Sequence, residues 1–179
     1  VEIFEDPSAK GGAFANMYEG TDTSYGKITN GKLHAVIDSG SVITFYHEDG
    51  RVLLKEHFRR LRDEESMPLN IMGREYSNGV GDNFRIVARF VARKGEKIFG
   101  MGQYQQHELD LKGCMLELAQ RNSQVSVPFY LSSIGYGFLW NNPGVGQVMF
   151  ANNGTEWVTE SGKEIDYLVI AGDTPAEIE

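Results

Sequence analysis

Carboxylates, histidines, one cysteine and a set of side-chain amides are the groups of this chain able to do chemistry, and their spacing limits what they do. A pair of carboxyls flanking a bond is the arrangement that cleaves glycosides. Asp63, Glu64 and Glu65 are consecutive and read as a solvated face, whereas Glu108, Asp110 and Glu117 lie near a loop and could face a ligand. No apolar stretch flanks either group to raise one carboxyl above its partner, so no catalytic acid or base is assigned. His34, His47, His57 and His107 are scattered, with no H-x-x-x-H and no cysteine at ligand spacing, so no metal site is expected. Cys114 alternates with Leu116 and Leu118, the pattern of a small buried hydrophobe rather than a nucleophile. The Gly-x-Gly pairs at 100–102, 135–137 and 144–146 lack a third glycine three positions on, and no G-x-x-x-x-G-K-[ST] occurs. These glycines suit turns, bulges and close backbone approach, and no cofactor is expected.

The stretch SSIGYGFLWNNPGVG (132–146) raises a further chemistry, stacking on sugar rings. In a strand, Tyr136, Phe138 and Trp140 share one face while Gly137 and Leu139 share the other. An aromatic row of this kind stacks on sugar C–H faces when exposed, but each ring gains several kcal/mol by leaving water, as an order of magnitude, which favours a core row. The residues Asn141-Asn142-Pro143-Gly144 must turn, with amides open to hydroxyls.

The elements that would position these groups are strands. LHAVI (33–37), VITFY (42–46) and FRIVARFVA (84–92) are β-branched and aromatic, and the last alternates with Phe84, Ile86, Ala88 and Phe90 on one face. Asp49-Gly50 predicts a two-residue turn in a hairpin over 42–55. KIFG, CMLEL, VPFYL, YGFLW, QVMF, TEWVT and IDYLVI follow, separated by Gly, Asn, Pro and Ser clusters. That gives roughly ten to twelve strands, the rhythm of an antiparallel two-sheet sandwich. The fold class is all-β with few short helices; the charged piece at 57–65 is the best helix candidate within the chain. At the end, Thr174 suits an N-cap, Pro175 the first helical position and Glu177 a capping box. A helix with two residues after Glu177 cannot hold itself, so the chain reads as a piece of a longer one.

Composition narrows the partners. The chain has 179 residues, 41% hydrophobic, with a formal charge of −8. That charge opposes nucleic-acid and anionic-membrane partners, and the basic cluster KEHFRRLR (55–62) is followed at once by acidic residues. No run approaches the ~18 apolar residues that cross a bilayer, and VEIFEDPSAKGG has neither the basic nor the apolar region of a signal peptide. The single cysteine fits a reducing compartment, hence the cytoplasm.

Together, GEKIFGMGQ (95–103), LDLKG (109–113), LAQRNSQVSVPFYLSS (118–133), GYGFLWNNP (135–143) and IDYLVIAGDTPAEI (165–178) resemble the N-terminal domain of glycoside hydrolase family 31, the α-glucosidases and α-xylosidases. In the first half the resemblance thins to YGKITNGKLHAVIDSG and the Asp-Gly hairpin. It implies one galactose-mutarotase-like β-sandwich over 1–179, preceding a (β/α)₈ barrel that holds both catalytic carboxylates of a retaining α-glycosidase. Such a barrel needs about 250 residues and has no room here. The resemblance further implies a loop that lines the sugar subsites, here Gln120, Arg121 and Asn122, flanked by Gln103 and Tyr104. Relatives with an Arg-Asp pair differ from Arg121-Asn122, which keeps an acceptor, adds a donor and loses the charge. The implied partners are an α-linked oligosaccharide and the barrel, with self-assembly of the whole enzyme left open. The alternative of a different class is a self-sufficient carbohydrate-binding module.

Overall fold

A computed structural model describes residues 14–18, 25–60 and 70–179, and their regular structure is almost entirely antiparallel sheet. The first sheet is a meander in chain order: β1 (Phe14–Tyr18), β2 (Tyr25–Asn30), β3 (Leu33–Ile37), β4 (Ile43–His47) and β5 (Val52–Lys55). The expected hairpin joins β4 to β5, but its loop differs from the expected one. The Gly50 N–H donates to His47 O, the His47 N–H donates to Arg51 O, and only Gly50 has positive φ, at 87°. Three residues, Glu48 to Gly50, make a turn closed by a glycine bulge, so Asp49 needs no left-handed conformation. The helix expected near 57–65 is absent where it can be seen. His57 and Phe58 are irregular, and β6 (Arg59–Arg60) pairs with β7 (Asn70–Ile71). Residues 61–65 lie outside the described residues.

The sandwich follows. One layer has the order β11 (Met115–Leu118), β14 (Gly146–Ala151), β15 (Gly154–Gly162), β9 (Phe84–Phe90) and β8 (Arg74–Asn78). The other has β10 (Ile98–Gln103), β12 (Val125–Ser132), β13 (Tyr136–Trp140) and β16 (Tyr167–Ala171). Of the expected inward face of β9, Ile86, Ala88 and Phe90 are buried but Phe84, at the strand's start, is exposed; on the other face Val87 is buried, while Arg85 and Arg89 pair with Glu160 and with Glu75 and Glu156.

The aromatic row is core. Tyr136, Phe138 and Trp140 are 2%, 0% and 1% exposed. Trp157 from the opposite layer stacks on Phe138 at 5.1 Å and on Trp140 at 5.6 Å, and Phe90 meets Phe138 edge-on at 5.3 Å. Trp140 Nε1 donates to Thr159 Oγ1 at 2.9 Å, so its polar edge is satisfied inside. A buried polar chain crosses the same layer. The Tyr130 and Tyr136 hydroxyls lie 3.0 Å apart, and Tyr136 and Ser132 donate to Glu96 Oε1 at 2.8 and 2.6 Å. Burial pushes both phenols far above their ordinary range.

The outward face of the four-stranded layer is apolar. Register aligns Phe99, Leu131, Gly137 and Ile170 in one cross-strand row and Phe129, Leu139 and Leu168 in another. All but the buried Gly137 are half-buried. The short helix α1 (Pro175–Ile178) covers one corner by setting Ile178 against Gly137, where a Cβ would meet Ile178 Cγ2 at 2.5 Å.

Pro175 occupies the first helical position as expected, but the capping box does not form. Thr174 is extended and makes no side-chain cap bond. Glu177 instead accepts from the Asp173 N–H at 2.9 Å and from Lys32 Nζ at 2.8 Å. Lys32 also reaches Asp173 at 2.5 Å, tying α1 to the first sheet.

Candidate functional site

The rim that the sequence singles out starts from a defect in β10. Gly100, Met101 and Gly102 have φ of 115°, 68° and 89°, and the register with β12 slips between the two glycines. A Cβ on Gly100 would sit 2.9 Å from Phe129 O, and one on Gly102 would overlap Val125 O. Only glycine lets the two strands approach this closely. Met101 carries the strain of a left-handed residue, about 1–2 kcal/mol, offset by its complete burial. The bulge redirects the strand so that Gln103 pairs with Val125 and Tyr104 leaves the sheet edge.

Tyr104 then bridges the two layers. Its hydroxyl donates to Glu117 O at 2.9 Å and lies 2.7 Å from Ser126 Oγ, and partial burial raises its phenol. The loop after β11 crosses from one layer to the other to enter β12. Gln120 closes it by donating to Ser126 O at 2.8 Å and accepting from the Ser126 N–H at 3.2 Å, a side chain acting as a strand partner. Arg121 grips Glu117 with two bonds, 2.6 and 2.5 Å, which holds that carboxyl below its usual range. Asn122 and Ser123 form the tip, with Ser123 at φ 73° and the Gln124 N–H donating to Arg121 O at 3.0 Å.

The structure therefore brings all five expected residues to one rim and divides them. Tyr104, Gln120 and Arg121 brace the loop internally. The Gln103 and Asn122 side chains are exposed and have no partner among the described residues.

Other candidates fall away or change role. Cys114 is half-buried against the core, and burial pushes its thiol up, away from a reactive thiolate. Asp110 accepts from the Ile98 and Lys112 N–H groups, which lowers its carboxyl. Asp63, Glu64 and Glu65 lie outside the described residues. No group of three or more His, Cys, Asp or Glu able to hold a metal occurs among the described residues. The Asn141 and Asn142 amides, expected to be open, both donate to Asp166, at 2.5 and 2.8 Å. No helix among the described residues is long and apolar enough to cross a membrane.

Two arrangements were not anticipated from the sequence. Buried His47 sits between Asp49 and Asp173, 3.2 and 3.3 Å away, and the second partner is far along the chain. Tyr76 and Phe84 form an exposed edge-to-face pair, 5.9 Å apart, at the β8–β9 hairpin. Two strands bounding a Gly-Val-Gly-Asp-Asn turn were its available sign.

No family profile matches the chain. Over 162 residues it is 45% identical to an uncharacterized family 31 glucosidase of Pseudescherichia vulneris, covering 84% of this chain and 31% of that protein. An alpha-xylosidase of Saccharolobus solfataricus is 35% identical over 100 residues, 51% of this chain and 14% of its own length. Among solved structures, a GH31 alpha-xylosidase from a soil metagenome complexed with xylose superposes with a TM-score of 0.82 at 43% identity. That match covers 97% of this chain and 26% of the other. A Flavobacterium johnsoniae GH31 dextranase, at 20% identity and a TM-score of 0.70, shares the fold. The chain spans less than a third of the length of each of these relatives.

Proposed function

Since the chain is a homologue of the glycoside hydrolase family 31 enzymes, we propose that it is the non-catalytic N-terminal β-sandwich domain, over 1–179, of a longer α-glycosidase. The observation that supports this reading best is one of coverage: 97% of this chain aligns with only 26% of a GH31 alpha-xylosidase. The two apolar rows on the outward face of the four-stranded layer fit packing against a larger body, as a catalytic barrel after Glu179 would supply. Retaining cleavage of α-xylosides or α-glucosides belongs to two carboxylates of that barrel. The lone Cys114 suits a cytoplasmic enzyme.

The rim contributes to the sugar subsites through Asn122 and Gln103, whose amides both donate to and accept from hydroxyls. Tyr104, Gln120 and Arg121 hold the loop in place for them. Bracing of this kind means that the loop loses little freedom when substrate binds.

The pure 179-residue chain is expected to give no turnover of nitrophenyl α-xyloside or α-glucoside. In the full-length enzyme, Asn122→Ala raises KM about tenfold, the loss of one good hydrogen bond, with kcat little changed. Hydrolysis by the chain alone, or a full-length protein lacking a (β/α)₈ segment, removes the proposal.

A further inference from the structure

We propose that the tip of the β8–β9 hairpin is a second, independent saccharide-binding site, separate from the rim at Asn122. Asn78, Gly79, Gly81, Asp82, Asn83 and Phe84 line an open hollow of about 350 Å³ there, near the low end of the range for small-ligand sites. Phe84, 39% exposed, is part of that lining, and Tyr76, 50% exposed, packs against it. Register places Tyr76 opposite Ile86 and Asn78 opposite Phe84, so both rings and Asn78 share one face of the hairpin.

The rings are preorganised. Tyr76 Oη accepts from the Ile165 N–H at 3.2 Å, and Phe84 meets Tyr76 edge-on at 88°. The loop is fixed as well. The Gly79 N–H donates to Asn83 O at 3.0 Å, a Cβ on Gly79 would lie 2.7 Å from that same oxygen, and Gly81 is left-handed at φ 66°. A site that needs no ordering keeps more of its contact energy as affinity.

The lining selects the ligand. Asn78 and Asp82 are exposed with no side-chain partner among the described residues. Asn83 uses its Nδ2 on Ser161 Oγ at 2.9 Å, which leaves its oxygen open. No Lys, Arg or His lines the hollow, so it offers nothing to a phosphate or carboxylate. The apolar part of the lining is the Phe84 ring, with Tyr76 packed edge to face against it, rather than a closed pocket, so it does not suit a lipid chain. Two amides, one carboxylate and an aromatic face match a neutral ring with hydroxyls on its rim and C–H groups on its face, a pyranose. The choice of α-xylosides and α-glucans as probes rests on the function proposed above; the hollow itself does not.

Titration of the isotope-labelled 179-residue chain with methyl α-xyloside and with maltotriose, followed by amide NMR shifts, tests the site. The expected result is saturable shifts at residues 76–84 with a dissociation constant of about 1–10 mM, the weak binding of an open site. Phe84→Ala and Tyr76→Ala weaken it about tenfold each with the melting temperature held, and Asp82→Asn weakens it less. Asn122→Ala leaves it unchanged. An absence of shifts at 76–84 up to about 50 mM, well above the expected constant, overturns the proposal. Shifts confined to Gln103 and Asn122 overturn it too while leaving the function proposed above intact.

Discussion

Glu56 is where the first sheet meets the sandwich, and its chemistry has a measurable sign. It is 2% exposed, pairs with Phe90 as an isolated bridge, and accepts from the Ile43 N–H at 2.9 Å. Arg74 Nε lies 3.2 Å from the other carboxylate oxygen without hydrogen-bond alignment. Burial raises the Glu56 carboxyl above its ordinary value, and the Ile43 N–H and Arg74 offset this only in part. In the window between the unfolded and the raised folded value, the native state binds more protons than the unfolded one. Stability therefore falls as pH rises through that window and is greatest below it. Glu56→Gln keeps an acceptor for Ile43 and removes the titration. The stability of the native chain relative to this variant is expected to fall from acid toward neutral pH, read by urea unfolding at a series of pH values. A flat difference refutes the assignment. Asp49, Glu117, Asp173 and Glu177 are lowered instead and act in the opposite direction, but they are surface groups and are common to both proteins.

At the scale of elements, two glycines with nearly the same φ separate conformation from space. Gly50 in the β4–β5 turn has φ 87° and nothing within 4 Å of a Cβ; Gly102 has φ 89° and no room beneath Val125 O. Gly50→Ala carries only the left-handed penalty, about 1–2 kcal/mol. Gly102→Ala adds a clash that forces β10 from β12, for a total of about 3 kcal/mol or more. Comparison of the two denaturation midpoints measures the close approach itself, and equal losses count against it. Because the bulge also aims Gln103 and Tyr104, Gly102→Ala disturbs the rim where Gly50→Ala does not. The bulge was partly legible, since Gly-Met-Gly in a strand marks close backbone approach. The left-handed Met101 between the glycines was not.

For the molecule as a whole, the outward face of the four-stranded layer decides how the chain behaves alone. Leu168 stands in its second apolar row opposite Leu139 and is half-buried. Leu168→Lys is expected to cost under about 1 kcal/mol, because a lysine stem covers similar apolar surface and its ammonium reaches water. The same change is expected to lower self-association of the isolated chain in sedimentation velocity. A loss of about 3 kcal/mol, the scale of a core residue, would place Leu168 in a sealed interior instead.

The strands, their inward faces and the all-β class were set by the sequence itself, because period-two alternation and Gly, Asn and Pro punctuation act within a few residues. Tyr136, Phe138 and Trp140 are the clear case: alternation put them on one face, and the free energy of leaving water put that face inside. Tertiary structure alone decided the placing of the β1–β5 meander beside the sandwich, the crossover that carries Gln120 from one layer to the other, and the partners of every polar group at these positions. Glu177 had a local role available at the helix start, and Lys32, 145 residues away, drew it elsewhere. Asn141 and Asn142 were open in a linear reading until Asp166 folded beside them. A hydrogen bond forms with whichever group the fold brings within about 3 Å, and sequence separation carries no information about that distance.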